Sequence, residues 1–154
     1  LVDSALPKLK IKDDSTLIYQ TNKITSMDFL TGFDQYTTVE EFINQFDNPS
    51  KYIQVVLDGI VCSADDYVCT GAEVQFIIDG NVVDSMKIVC RGDVDGNGAV
   101  NSTDYLRIKS YFIGSMELEG AFLAGADLDD SGSIDATDYL KIKSFFLGYI
   151  ESLN

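Results

Sequence analysis

One stretch of 22 residues occurs twice in this chain, with the copies offset by 34 positions. Residues 93–114 read DVDGNGAVNSTDYLRIKSYFIG and residues 127–148 read DLDDSGSIDATDYLKIKSFFLG. Twelve of the 22 aligned positions are identical, and Val94/Leu128, Val100/Ile134, Arg107/Lys141 and Tyr111/Phe145 are conservative pairs. A duplication this close implies one supersecondary unit used twice, related by a near two-fold axis.

Each copy opens with oxygen-bearing side chains on alternate residues. In the first these are Asp93, Asp95, Asn97 and Asn101, closed by Asp104; in the second, Asp127, Asp129, Ser131 and Asp135, closed by Asp138. They occupy positions 1, 3, 5, 9 and 12 of a calcium loop, where position 7 adds a backbone carbonyl, here from Ala99 and Ser133. Position 6 is Gly98 and Gly132, where the chain turns sharply. Position 8 is apolar, Val100 and Ile134, which suits a short β-bridge between the loops. Calcium takes about six to eight hard oxygens, and such a loop wraps them around one ion. Asp, Asn and Gly also make plain surface turns. Two loops in register, each leading into the same apolar helix, decide against that. Position 12 is Asp rather than the longer Glu, so calcium is favoured over magnesium without being dictated.

A helix follows each loop. Tyr105, Ile108 and Phe112, and likewise Tyr139, Ile142 and Phe146, recur at helical spacing. Gly114 and Gly148 stand where helices stop. The helix that would enter the first loop of a full EF-hand is missing, because residues 82–90 alternate as a strand does. Residues 116–124 suit a short helix between the repeats.

Two loop–helix repeats with a short linking helix resemble the type I dockerin family, over residues 92–150. The resemblance implies a non-catalytic calcium-dependent anchoring module with two Ca2+ ions. Its partner is then a cohesin module of a scaffoldin or cell-surface protein, in a secreted, cellulosome-type system that degrades polysaccharide. It also implies cohesin contacts from loop positions 10 and 11 and from exposed helix positions. In the first repeat these are Ser102, Thr103, Arg107, Lys109, Ser110 and Gly114. In the second they are Ala136, Thr137, Lys141, Lys143, Ser144 and Gly148, with Ala136 lacking the hydroxyl of Ser102. All four basic residues of 92–154 lie in the two repeat helices, among 11 acids, which favours a partner-facing role over a plain solvated face.

The remaining composition narrows the alternatives. The 154 residues include no His, so His-based catalysis and His metal sites are excluded. Acids outnumber bases 25 to 11, a net charge of −14, so binding nucleic acid through its phosphates is excluded. No apolar run approaches the roughly 18–20 residues of a membrane span. The chain starts at Leu1, as expected of a fragment or processed product. Cys62, Cys69 and Cys90 are too few for a disulfide framework; Cys62 and Cys69 pair if strands bring them together, and are otherwise free thiols.

Residues 1–91 show no catalytic constellation. Thr16–Gln20, Ile53–Leu57, Glu73–Ile78 and Val82–Cys90 read as strands, with Asp79-Gly80-Asn81 a hairpin turn. Thr38-Val39-Glu40-Glu41 is a capping box opening a helix with Val39, Phe42, Ile43 and Phe46 on one face, ended by Asp47-Asn48-Pro49. Tyr19, Tyr36, Tyr52 and Tyr67 either cover a sheet or line a sugar platform. By arrangement this half resembles the X module that precedes many dockerins. The expected fold is therefore an α+β module over 1–91, a small sheet with one helix, followed by an all-α dockerin over 92–154. No linker separates Cys90 from Asp93, so the halves are expected to share an interface. A calmodulin-like calcium sensor or buffer is the alternative for the whole chain, and a glycan-binding module for its first half.

Overall fold

The computed structural model describes residues 7–154. Its N-terminal region is β-rich, and the expected small sheet with one helix is corrected. Six strands form two separate sheets. Strands β1 (Ile18–Thr21) and β2 (Asp28–Thr31) make an antiparallel pair. Strands β3 (Ile53–Leu57), β4 (Ile60–Val61), β5 (Glu73–Ile78) and β6 (Asn81–Lys87) make an antiparallel sheet of order β4-β3-β5-β6. Helix α1 (Val39–Ile43) is capped as expected by Thr38 and Glu41, but it stops at Asn44, well before Phe46. The short apolar face that suggested one covering helix is thus a single turn. The all-α description of the second half is corrected too: it is helical, but loops, turns and bends separate α2 (Ser102–Phe112), α3 (Gly120–Ala126) and α4 (Ala136–Phe146).

Two strands escaped the sequence pattern for physical reasons. β2 is buried on both faces, so it shows no polar alternation. Phe29 points into a cluster with Val89 and Ala124, while Leu30 enters the N-terminal core with Phe42, Val55, Val74 and Ile88. β4 is two exposed residues, held by the turn Asp58-Gly59 (φ 51° and 80°). Asp79-Gly80 (φ 52° and 78°) turns β5 into β6 in the same way, the two positive φ values matching strand twist.

The second core gathers Val94, Val100, Ile108, Leu118, Ala126, Leu128, Ile142 and Leu153 around α2 and α4. The Phe29–Val89–Ala124 cluster joins it to the N-terminal core. Hydrogen bonds cross at several further points, including Tyr36 N to Gly98 O (2.9 Å) and Asn154 Nδ2 to Phe33 O (2.9 Å). Among the described residues Cys62, Cys69 and Cys90 are free thiols. Burial pushes the Cys69 thiol up to about 12, so it stays protonated and unreactive.

Candidate metal centres and docking face

Each loop brings three carboxylates to one point. Asp93, Asp95 and Asp104 each offer an oxygen within 4.8 Å of the others, and Asp127, Asp129 and Asp138 do the same. The first and last of each set are fully buried because the backbone encloses them. Asp93 Oδ1 accepts from Gly96 N (3.0 Å) and Asn97 N (3.1 Å), and its Oδ2 accepts from Gly98 N (2.9 Å). Asp127 is held alike, by Ser131 N (3.2 Å) and Gly132 N (3.1 Å).

The closing Asp of each loop has a second task. Asp104 Oδ2 accepts from Asn101 N (2.9 Å) and its Oδ1 from Val94 N (2.9 Å), which ties the helix start to the loop start. Asp138 repeats this with Asp135 N (3.0 Å) and Leu128 N (2.7 Å). The closing Asp is thus the third helical residue, the N3 position of a capping box, where its side chain reaches the N-cap amide. The predicted position-9 side chains serve as the N-caps: Asn101 Oδ1 accepts from Thr103 N (3.0 Å) and Asp135 Oδ1 from Thr137 N (2.9 Å). Asp135 stands outside the carboxylate triad. Asn97 turns its amide onto Asp95 Oδ2 (3.3 Å), and the Ser131 hydroxyl donates to Ser133 O (3.2 Å). Among the described residues no β-bridge joins the loops, because the Val100 amide donates instead to Gln35 Oε1 (2.6 Å).

Electrostatics identify what these triads lack. Burial pushes the Asp104 carboxyl up to about 7, with the Asp95 charge adding to it. Burial likewise pushes Asp138 up to about 6, with Asp129 adding to it, and raises Asp93 and Asp127. Asp95 Oδ1 is buried with no hydrogen-bond partner. An orphaned acceptor facing two buried carboxylates is the environment a hard divalent cation relieves, so the residues fit calcium.

The helices carry the other predicted residues. Ser102, Thr103, Lys109, Ala136 and Thr137 are exposed. The Lys143 ammonium lies over the Tyr139 ring at 5.9 Å. Lys141 Nζ instead donates to Leu128 O (2.8 Å), a bond that fixes the second loop. Arg107 lies beside Asp95, Glu117 and Phe122. Ser110 and Ser144 give their carbonyls to Ser115 N and Tyr149 N, and Gly114 and Gly148 (φ 81° and 82°) complete these Schellman ends.

The sequence reading missed the apolar part of this face. Phe112 and Phe146 are exposed rather than core residues, as are Leu106, Ile113, Leu140 and Leu147. Tyr105 stacks on Phe146 (5.5 Å) and Phe112 on Tyr139 (5.8 Å), while the two tyrosine hydroxyls meet at 3.0 Å. The available signal was Leu106 and Leu140, each two residues before the buried Ile108 or Ile142, out of phase with that stripe and repeated in both copies. Arg91 was also missed. It is buried, donates to Asp127 O (3.2 Å) and Asp130 Oδ2 (2.9 Å), and so anchors the second loop. Of the four tyrosines considered for sugar, Tyr36 and Tyr67 pair at 5.3 Å in a tilted arrangement, and Tyr52 packs on Phe76.

Paired loop–helix units with buried acidic triads define a duplicated ion-loop module. Residues 91–147 match the family model for the dockerin type I domain, so this part of the chain is similar to type I dockerin domains. Such a domain is a non-catalytic, calcium-dependent protein–protein module whose partner is a cohesin. No curated protein matches the chain. Among the described residues no helix is long and apolar enough to cross a membrane.

Proposed function

We propose that this chain is a non-catalytic anchoring module of an extracellular parent protein, docking onto a cohesin of a scaffold or cell-surface protein and holding two calcium ions. One ion belongs to the loop of residues 93–104 and the other to that of 127–138. Asp93, Asp95 and Asp104 provide carboxylates in the first, with Asn97, Ala99 and Asn101 completing the predicted set. Asp127, Asp129 and Asp138 do so in the second, with Ser131, Ser133 and Asp135. When bound, calcium supplies the positive charge that lets buried carboxylates converge. The chain's own contribution is geometric: Asp104 and Asp138 couple each loop to the first turn of its helix, so ordering the loop orders the docking face.

The observation that carries the reading is the combination of two matching acidic triads with exposed apolar residues and lysines interspersed on the two helices that follow them. Leu106, Leu140, Phe112 and Phe146 are exposed on α2 and α4, alongside Lys109 and Lys143. That suits a partner with an apolar patch bordered by acids. The near two-fold relation offers this face in two orientations. They differ chiefly by the Ser102 hydroxyl, which Ala136 lacks, so one is favoured by about tenfold or less.

Calorimetry against a panel of cohesins, with calcium and with chelator, tests the reading. Binding is expected only with calcium. Substituting Thr103 and Lys109 should weaken it modestly, and adding substitutions of Thr137 and Lys143 should abolish it. Complete loss from the first pair alone, with calcium uptake intact, would sink the two-orientation part. Affinity for no cohesin would sink the whole.

A further inference from the structure

The duplication supplies an internal control, because every contact of the first ion loop can be compared with its counterpart 34 residues later. Within each loop the bonds are nearly the same. The difference lies in what the N-terminal half adds. Asp93 Oδ2 accepts a further bond from the Thr70 backbone amide (3.0 Å), a contact buried from solvent. At the Asp127 carboxylate, among the described residues, the donors come from its own loop, Arg91 reaching only the backbone carbonyl. The Gly98 carbonyl accepts from the Tyr36 amide (2.9 Å), and the Val100 amide donates to Gln35 Oε1 (2.6 Å). No such partners from the N-terminal half reach Gly132 or Ile134 among the described residues. The second loop is met by Gln20 Nε2 on Asp130 Oδ1 (3.1 Å), by Arg91 on Asp127 O (3.2 Å) and Asp130 Oδ2 (2.9 Å), and by Lys23 beside Gly132, but none of these donates to a carboxylate of its triad.

Thr70 is itself fixed. Fully buried, it donates through Oγ1 to Cys90 O (3.0 Å) and accepts at the same oxygen from Cys90 N (3.0 Å). The amide that meets Asp93 is thus locked to Cys90, three residues before that ligand. Space is equally tight: a Cβ on Gly98 would lie 2.7 Å from Tyr67 Cβ, and one on Gly96 would lie 3.1 Å from Thr70 O.

We propose that the first ion loop is a composite site, in which Thr70, Tyr36 and Gln35 are positioning residues supplied by the N-terminal half. It rests on the calcium reading above and goes beyond it in making the two sites unequal. The first loop is held in its binding geometry before the ion arrives, so less ordering opposes binding and it is the tighter site. Hydrogen bonds to a ligating carboxylate orient it and tune its hold on the metal. By linkage the ion must return the effect, ordering the N-terminal half around residues 35, 36 and 70.

The test uses the full chain and calcium chloride. Asp138→Ala leaves the first loop as the reporting site, and Asp104→Ala the second. By calorimetry, adding Gln35→Ala to the Asp138→Ala chain should weaken calcium binding about two- to tenfold, the range of one hydrogen bond. Added to the Asp104→Ala chain it should change nothing, and Gln35→Glu, which keeps the acceptor, should preserve affinity. Amide hydrogen exchange adds a readout that general destabilisation would not mimic. Calcium should slow exchange at Tyr36 and Thr70 in the wild-type and Asp138→Ala chains, and not in Asp104→Ala. Equal weakening of both loops by Gln35→Ala, no weakening of either, or calcium protection surviving Asp104→Ala would each overturn the composite site alone. A wild-type chain that takes up no calcium would overturn it together with the proposed function.

Discussion

Alanine at the sixth position of each loop separates local loop strain from contact with the N-terminal half. Gly98 and Gly132 have φ of 80° and 90°, so Gly98→Ala and Gly132→Ala both force an L side chain into the left-handed region. That conformation costs about 1–2 kcal/mol in either loop. The surroundings then differ. The Gly98 Cβ would lie 2.7 Å from Tyr67 Cβ and 3.3 Å from Val68 O. Carbon atoms rest at about 3.5–4.0 Å, so one of these groups must retreat. Neither is free to: Tyr67 bridges Thr38, and Val68 N donates to Thr37 O (2.8 Å). Overpacking of this kind adds about 1–3 kcal/mol. The Gly132 Cβ would meet Lys23 Cβ at 3.0 Å, a smaller overlap with a residue in a turn. Gly98→Ala should therefore be the more destabilising by about 1–3 kcal/mol, which separates the calcium-saturated melts by about 2–12 °C in a chain of this size. Thermal and urea unfolding, followed by circular dichroism, read this directly. Indistinguishable melts for the two variants would refute the argument that the first loop is pressed against the N-terminal half.

Three further outcomes are expected. Excess chelator should reduce the helical circular dichroism signal and lower the melting temperature, since α2 and α4, at 11 residues each, are marginal alone and rest on loops of converging carboxylates; an unchanged signal and melt would count against it. In chelator, stability should fall as pH rises from about 4 to 8. Asp104 (about 7) and Asp138 (about 6) are raised above ordinary carboxylates, so the folded chain binds more protons than the unfolded chain across that window. Calcium should reverse that slope, because protons compete with the ion, and urea midpoints at several pH values check both signs. Residues 92–154 with calcium should melt below the full chain, having lost the Thr70, Tyr36 and Gln35 contacts and the Phe29 side of the joining cluster; equal melts would make the N-terminal half a mere spacer.

The acidic loops were legible because their chemistry is local. Ligand spacing, the glycine turn and the helix-ending Gly114 or Gly148 all lie within one stretch of 22 residues, and duplication made the pattern unmistakable. The hairpin at Asp79-Gly80 and the Thr38 cap were legible for the same reason. The division of the strands into two sheets was not. β2 is buried on both sides by segments distant in sequence, so Phe29 and Leu30 carry no alternation to read. The exposure of the helices' apolar residues was not legible, because periodicity marks which residues share a helix face, not whether another element covers it. Ile108 and Ile142 are covered, while Phe112 and Phe146, one turn further along, stack on tyrosines and stay open to solvent.

What the amino-acid order determined by itself, then, is two ion loops and two helices of nearly identical make. Only the tertiary structure made them unequal. Thr70 lies 23 residues before Asp93, and Gln35 lies 65 before Val100, so no local pattern links either pair. Backbone amides have no sequence signature, since every residue but proline carries one. Which of them faces a given carboxylate is settled by how the sheets pack against the loops, and that packing placed a backbone amide of the N-terminal half on the Asp93 carboxylate while Arg91, Gln20 and Lys23 meet the second loop outside its triad.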